Sequence, residues 1–349
     1  MANLRYAAYR AGLESLYFSG AHVALRPMVG GVGAIFTLHH VRPPREDAFQ
    51  PNRILEIEAD FLDRVISRLR ERKLDIVSLD EVWRRLTEHD FSRRFVAFTF
   101  DDGYRDNLEY AWPVLKKHGV PYAIYIATSF PDRLGEIWWV ALERVVAKSE
   151  RMAVEVGGST RFFNCPDAAA KRRTFEEIYW WLRTIEDDGE LRRVVRDLCK
   201  RYGVDPMAPC AELCMNWNEI GRLAADPLCT IGAHTINHVF LTKMSEGAAR
   251  TEMKRSADVI EAALGKRPAH FAYPYGDLTA AAAREYALAK DIGFKTAVTT
   301  RPGVLTRKHG ERLTALPRIS LNGNFQALRY VDVLLSGAPF AFSRRADAA

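Results

Sequence analysis

Residues 95–103 read FVAFTFDDG, a short run rich in aromatic and β-branched residues that ends in two adjacent carboxylates and a glycine. Such a run is typical of a strand buried in a parallel sheet. Side chains alternate along a strand, but the turn at Gly103 allows both Asp101 and Asp102 to face one pocket at its carboxyl end. A solvated turn is the alternative interpretation, because Asp-Asp-Gly also favours tight turns.

Runs of the same kind recur along the chain, separated by segments whose apolar residues have helical spacing, such as 59–72 and 245–264. This alternation predicts an α/β fold with a parallel sheet and crossover connections. About seven such units in 349 residues favour a closed or nearly closed β/α barrel over an open sheet. The predicted strands are residues 34–39, 74–79, 95–100, 122–127, 228–233, 269–273 and 294–299.

A mostly helical and highly charged segment interrupts this alternation at about 140–215. We interpret it as a helical insertion after the fourth strand, placed over or beside one face of the barrel. The barrel is expected to span 31–340, after an amphipathic helical segment at 1–30 and before a disordered tail at 341–349. Because the apolar residues of the first segment recur at helical spacing, that helix either packs on the barrel or rests weakly on a membrane surface.

Composition excludes several classes of protein. With 48% hydrophobic and 27% charged residues, the chain is neither disordered nor collagen-like. The net charge of +6 is spread along the chain without a dense basic stripe, so no nucleic-acid partner is expected. Five cysteines with no C-x-x-C pair indicate reduced thiols. Without a hydrophobic leader or a long apolar window, we expect a cytoplasmic protein with neither signal peptide nor transmembrane helix.

The sequence GAHTINH at 232–238 follows another strand-like run and offers two imidazoles four residues apart. His234 and His238 can reach one metal ion from a single turn, with Thr235 hydrogen-bonding to hold the loop. Two histidines and a carboxylate leave coordination positions open, as a catalytic metal requires. A histidine pair at this spacing also arises by chance. In a barrel, however, the carboxyl ends of all strands share the face that carries active sites.

Three motifs occur in order: TFDDG at 99–103, HTINH at 234–238 and YPYG at 273–276. Together they resemble the first three motifs of the polysaccharide deacetylases, carbohydrate esterase family 4, which includes the nodulation protein B-like chitooligosaccharide deacetylases. The resemblance extends over about residues 34–320. It implies a distorted barrel of about seven β/α units. It also implies a metal-dependent hydrolase of non-peptide carbon–nitrogen bonds, which removes N-acetyl groups from poly- or oligosaccharides containing N-acetylglucosamine.

The same resemblance implies roles for individual residues. The expected ligands of the metal are Asp102, His234 and His238, with zinc first and cobalt, nickel or iron as alternatives. Asp101 is the expected general base. Charge favours the same roles, because the metal neutralises the carboxylate of Asp102 and leaves that of Asp101 free to accept a proton. The segment with Pro274 and Tyr275 is expected to contact substrate, with the backbone N–H of Tyr275 helping the metal to hold the oxyanion.

The sequence departs from the family pattern at two points. No Leu-x-His motif follows YPYG, so the histidine that acts as general acid must lie elsewhere. One branch of the family places it after the first strand in a Tyr-His context, which LHHV at 38–41 resembles, and we choose His40 over His39. The arginine that usually precedes the third motif is also missing. Arg318, at the end of a late strand, either supplies this guanidinium or forms a structural ion pair.

Trp139, after the fourth strand, is interpreted as a surface on which sugar stacks, with interior packing as the alternative. Three other functions remain open, because a fold does not fix an activity. One is an O-acetyl carbohydrate esterase that uses the same site. Another is a metal-free C–N hydrolase, against which the intact ligand set argues. The last is a catalytically inactive carbohydrate-binding homologue, which the missing arginine supports.

Overall fold

The computed structural model describes residues 2–156 and 158–341, so nearly all of the tail expected at 341–349 lies outside the described residues. The strands in chain order are β1 (Gly33–Leu38), β2 (His40–Val41), β3 (Glu56–Ile57), β4 (Asp75–Ile76), β5 (Phe95–Phe100), β6 (Tyr122–Ile126), β7 (Arg151–Val156), β8 (Ser159–Asn164), β9 (Cys229–Ala233), β10 (His270–Ala272), β11 (Thr296–Pro302) and β12 (Leu316–Ser320). The helices are α1 (Ala2–Phe18), α2 (Ala21–Val29), α3 (Ala59–Glu71), α4 (Leu79–Thr87), α5 (Trp112–His118), α6 (Trp138–Lys148), α7 (Ala168–Arg183), α8 (Asp188–Arg201), α9 (Ala208–Leu213), α10 (Trp217–Ala224), α11 (Glu246–Leu264), α12 (Ala283–Ile292) and α13 (Leu328–Leu335).

Seven parallel strands close into a barrel, which confirms the predicted fold class. Their order around the barrel is β1, β12, β11, β10, β9, β6 and β5, and β5 pairs with β1 to complete the ring. The closing pair runs in register from Gly33 opposite Phe95 to Leu38 opposite Phe100. The carboxyl ends of all seven strands therefore meet at one face of the barrel.

One predicted strand is not part of the barrel wall. The run at 74–79 forms only the two-residue β4, which pairs with the start of β5. The run stops early because the Ser78 hydroxyl accepts a hydrogen bond from the Glu81 N–H and caps α4, which begins at Leu79. The remaining position in the barrel is taken by β12.

Strand β5 is buried along its whole length, and its side chains alternate between two apolar layers. Phe95 and Ala97 pack inside the barrel, whereas Phe98 and Phe100 pack between the barrel and the helices around it. This alternation directs Thr99 and then Asp101 to the inside of the barrel at its carboxyl end.

Between β6 and β9 the chain leaves the barrel and forms α6 to α9 together with the antiparallel hairpin β7–β8, which the sequence did not predict. These elements share a second apolar core that includes Trp138 and Phe175. Helix α1 packs on α13, with Leu13 buried and Glu14 accepting hydrogen bonds from Arg329 and Tyr330. Among the described helices, none has both the length and the apolar character needed to cross a membrane.

Candidate active site

Two adjacent carboxylates face the same cavity at the carboxyl end of β5. Asp101 continues the inward side of the strand, whereas Asp102 is turned toward the cavity by a left-handed backbone with φ of 71°. Gly103 also has a positive φ of 65°, a backbone conformation that residues with a side chain rarely adopt. Each carboxylate residue is only 2% exposed, so the turn is buried and the interpretation as a solvated turn is wrong.

Asp102 lies beside the two histidines of the second motif. Its Oδ1 is 3.4 Å from His234 Nε2 and 3.2 Å from His238 Nε2. One ligand atom from each of the three residues lies within 4.8 Å of the others, and all three side chains are buried. Within the described residues, Asp102 Oδ1 has no hydrogen-bond partner. A buried carboxylate oxygen without a partner is costly, so the cluster fits a divalent cation that would satisfy it.

The loop after β9 fixes the orientation of both imidazoles. His234 Nδ1–H donates to the Ala272 carbonyl at 2.7 Å, which leaves Nε2 as the free ligand atom toward Asp102. Thr235 Oγ1 accepts from the His238 N–H at 3.0 Å, so Thr235 holds the loop in the way its position suggested. The ring of His238 stacks on Phe130 at a centroid distance of 6.0 Å.

The charge states of the cluster suit metal binding. Burial raises the pKa of Asp102, but its electrostatic interactions with His238 and His234 outweigh this and hold the pKa well below its ordinary value. Burial lowers the pKa of His238, and the nearby Asp102 carboxylate opposes this only in part. A cation therefore meets an ionised carboxylate and a neutral imidazole, the forms that bind metals.

Asp101 is held by a buried arginine. Arg318 Nη1 and Nη2 donate to its two carboxylate oxygens at 2.7 and 2.6 Å, and Arg318 also donates to Thr99 Oγ1 and to the Thr299 carbonyl. Burial raises the pKa of Asp101, but the charge and hydrogen bonds of Arg318 more than offset this and leave the pKa below its ordinary value. Arg318 therefore forms an ion pair within the site and also orients Asp101.

Of the two neighbouring histidines, only His39 lines the cavity, where its Nε2 is 3.9 Å from Asp101 Oδ2. His40 stacks on Tyr104 at 3.6 Å, and its Nδ1 is 2.6 Å from Asp106 Oδ2. This arrangement corrects the choice of His40. In β1 the side chain of Ile35 faces the inside of the barrel. Every second residue of a strand faces the same side, so Thr37 and then His39 also point inward. This period of two was already present in the sequence. Burial lowers the pKa of His39, and the negative charges of Asp102 and Asp101 oppose this lowering only in part.

Aromatic residues close the site on one side. Tyr275, with φ of 60°, stacks on Phe240 at 3.7 Å and accepts a hydrogen bond from Trp138 Nε1 at 2.6 Å. The ring of Trp139 lies 4.8 Å from that of His238, so it forms part of the wall beside the ligands. Both Trp139 and Tyr275 line the cavity, whereas Pro274 is buried and does not.

The cavity has a volume of about 1320 Å³ and extends well beyond these residues. Helix α7 contributes Arg172, Tyr179 and Trp180 to its wall, and α1 contributes Tyr6 and Tyr9. The sequence pattern of neither helix predicts a place in the site. One signal was the aromatic cluster at 179–181 in the insertion, which by sequence alone favours packing on the barrel.

The carboxyl face of this β/α barrel carries an Asp-His-His cluster that could hold a metal ion and, beside it, an ion-paired second carboxylate. This is the face on which barrel enzymes carry their active sites. The family model described as polysaccharide deacetylase matches residues 88–179 and 194–297, which is more than half of the chain. The chain therefore belongs to the polysaccharide deacetylase family, whose enzymes hydrolyse acetyl groups on carbohydrates, and the resemblance of the three motifs is confirmed.

Solved structures with the same fold include several deacetylases. The Streptococcus pyogenes deacetylase PplD, in complex with acetate, is 18% identical, with a TM-score of 0.56 over 86% of this chain and 96% of that one. IcaB from Ammonifex degensii is 17% identical, with a TM-score of 0.53 over 87% and 96%. A de-N-acetylase from Aggregatibacter actinomycetemcomitans is 13% identical, with a TM-score of 0.55 over 86% and 99%. No curated protein sequence matches the chain.

Proposed function

We propose that this protein is a metal-dependent hydrolase that removes N-acetyl groups from poly- or oligosaccharides containing N-acetylglucosamine. The observation that carries this proposal is the buried cluster of Asp102, His234 and His238 with Asp101 beside it at the inner end of a large cavity. Membership of the family supplies the acetyl group as the target of hydrolysis.

Asp102, His234 and His238 would hold the cation. A set of two imidazoles and one carboxylate suits zinc, and it also accepts cobalt, nickel or iron. When bound, the divalent cation supplies a Lewis acid that activates water and polarises the acetyl carbonyl. The unpartnered oxygen of Asp102 supports this assignment, because the cation would give that buried atom the partner that the described residues do not offer.

Asp101 takes the proton from the attacking water. The bidentate contact with Arg318 keeps this carboxylate ionised and prevents it from turning toward the ligand cluster as a fourth ligand. A carboxylate has about four lone-pair sites, so two contacts with the guanidinium leave acceptor capacity for the water proton. In this proposal Arg318 of β12 takes the orienting role of the missing family arginine, and the absence of that arginine no longer favours an inactive homologue.

His39 donates a proton to the departing amine. An amine is a poor leaving group unless it is protonated, and an imidazole suits that step near neutral pH. His39 lies on the cavity wall next to Asp101, whereas His40 is held against Asp106 and Tyr104. The backbone N–H of Tyr275 supports the oxyanion in this proposal, and the rings of Trp139 and Tyr275 keep water away from the reacting carbonyl.

The test is mass spectrometry of chitooligosaccharides after incubation with zinc-loaded protein. We expect the loss of acetyl groups with the wild type and with Asp258→Asn, a control on the surface of α11 whose carboxylate pairs with Lys254 and Arg267. We expect no loss with Asp101→Asn or Asp102→Asn. Acetylated xylan incubated in parallel distinguishes an O-acetyl esterase. If wild-type protein releases acetate from no saccharide with zinc, cobalt, nickel or iron, the proposal is wrong.

A further inference from the structure

The outer part of the cavity carries an excess of positive charge. Its wall includes Arg10 from α1, Arg53 from the 3-10 helix Pro51–Leu55, and Arg172 and Arg173 from α7. Within the described part of the chain, none of these four arginines pairs with a carboxylate. We call them the rim arginines. Arg10 instead donates to a backbone carbonyl, that of Asn324, at 3.1 Å.

The acidic residues of the same wall do not balance this charge. Asp277 is already paired with Arg183 at 2.6 Å, and Glu177 lies 3.5 Å from Arg161, a residue outside the cavity. Glu176 is then the one carboxylate of the outer wall without an ion pair among the described residues. Four guanidinium groups thus face the cavity against one unpaired carboxylate.

Many arginines elsewhere in the described chain are paired with carboxylates. On α8, for example, Arg193 contacts both Glu190 and Asp197, and on α4 Arg84 contacts three carboxylates. A guanidinium without an internal partner keeps its forked donors for a ligand, and it matches the geometry of carboxylate and phosphate groups. A concave wall of one sign of charge also concentrates the electric field on whatever enters it.

We propose that the rim arginines bind an anionic group, a carboxylate or a phosphate, on the saccharide chain. The preferred substrate is then an anionic N-acetylated saccharide. This inference deepens the proposed function and rests on it for the identity of the ligand as a saccharide.

The position of α7 separates this anion from the reacting sugar. Tyr179 stacks on Trp138, which donates to Tyr275 beside the ligand cluster. Arg172 precedes Tyr179 by seven residues, which is about 10 Å along a helix and longer than one sugar ring. The indole of Trp180, 59% exposed on the same helix, offers a stacking surface on the cavity wall beside Tyr179. The anionic group therefore lies on a neighbouring unit of the chain.

The test compares the binding of three probes to metal-free protein at low ionic strength. Chitotetraose is neutral, a hyaluronan tetrasaccharide carries carboxylates, and chitotetraose 1-phosphate carries a phosphate. Calorimetry is expected to give about tenfold tighter binding of at least one anionic probe than of the neutral one, and this preference should fall as salt is added. Tighter binding of the carboxylate probe identifies a uronate-containing chain, and tighter binding of the phosphate probe identifies a phosphorylated one.

The double variant Arg172→Gln/Arg173→Gln should lose the preference for the anion and keep the affinity for chitotetraose. The matched control is Arg193→Gln/Arg201→Gln, two exposed arginines of α8 outside this cavity, which should keep the preference. Equal affinities for all three probes, or equal losses in the two double variants, would overturn the inference. Because binding is measured without metal, failure to release acetate refutes the proposed function without changing this result.

Discussion

At the scale of single residues, backbone strain is concentrated in the candidate site. The described chain contains seven non-glycine residues with positive φ, and four of them are Asp102, Thr235, His238 and Tyr275. A left-handed conformation costs such a residue about 1–2 kcal/mol, so the surrounding structure must hold it in place. At these positions the strain serves to turn ligand and wall residues into the cavity from the ends of three different strands.

The ion pair between Arg318 and Asp101 leads to a prediction about pH. In Arg318→Gln the attraction that lowers the pKa of Asp101 is lost while burial, which raises it, remains, so the pKa should rise. If the ionised form is the base, the acid limb of the pH profile of kcat/KM moves to higher pH. Stability should also fall by about 3–5 kcal/mol, because an uncompensated carboxylate stays buried.

Measured pH–rate profiles and denaturant unfolding check this prediction together. Arg318→Lys is the matched control, since it keeps the positive charge but not the bidentate contact, and it should give a smaller shift of the acid limb. An acid limb that stays in place in Arg318→Gln would show that Asp101 is not the titrating base.

The two histidines after β1 allow a direct comparison. His39→Asn should lower kcat by about 10²–10⁴-fold, the usual contribution of a general acid, with little change in stability. His40→Asn should mainly destabilise the fold by about 1–3 kcal/mol, because it removes the contact with Asp106. Steady-state kinetics and urea unfolding of both variants separate the two effects. The opposite order of kcat losses would return the role of acid to His40.

At the scale of elements, α1 is both a packing element and a wall of the cavity. Leu13 anchors it on α13, while Tyr6 and Tyr9 face the cavity. Leu13→Ala should weaken this docking by about 2–5 kcal/mol, the range for a buried leucine. We expect a higher KM for tetrasaccharides with an unchanged kcat, and faster proteolysis within α1.

Phe18→Ala is the control for this helix. Because Phe18 is 75% exposed, its removal should change neither the KM for tetrasaccharides nor the rate of proteolysis within α1. Disaccharide substrates provide a second comparison, since they occupy less of the cavity than tetrasaccharides do. A rise in KM that is the same for disaccharides and tetrasaccharides would mean that α1 does not contact the saccharide.

The elements also explain what the sequence could predict. Long apolar runs such as β5 are visible because burial on both faces leaves a continuous pattern. Strand β12 lacks the continuous apolar pattern of β5, because LPRIS contains a proline and an arginine. Arg318 is buried only through its pairing with Asp101 across the barrel. The grouping of Asp102, His234 and His238 could be predicted because each of these residues follows a strand. The walls from α1 and α7 depend on how distant segments pack, which periodicity does not report.

At the scale of the whole molecule, the ligand cluster lies where the barrel and the insertion meet. His238 from the loop after β9 packs against Trp139 of α6, and Tyr275 accepts a hydrogen bond from Trp138 of the same helix. The second apolar core, which includes both tryptophans, surrounds this contact. A ligand bound to His238 therefore stabilises the contact between the barrel and the insertion as well as the loop after β9.

Metal binding should accordingly raise the thermal stability of the folded protein. A cation that binds only the native state stabilises it by about 2.7 kcal/mol when its free concentration is a hundred times Kd. For a chain of 349 residues, that corresponds to a rise in Tm of about 4 °C. Differential scanning calorimetry with and without zinc measures the shift, and dialysis against a chelator should reverse it.

Two variants test whether the shift in Tm comes from the cluster of Asp102, His234 and His238. His234→Gln should abolish it, whereas His118→Gln should keep it, because His118 contacts Asp63 far from the cavity. The shift should also shrink as the pH falls, since protons compete with the cation for the imidazoles and for Asp102. An equal shift in His234→Gln would mean that zinc binds elsewhere. No shift in the wild type would mean that these three residues hold no cation, because a site that binds only the folded chain must stabilise it.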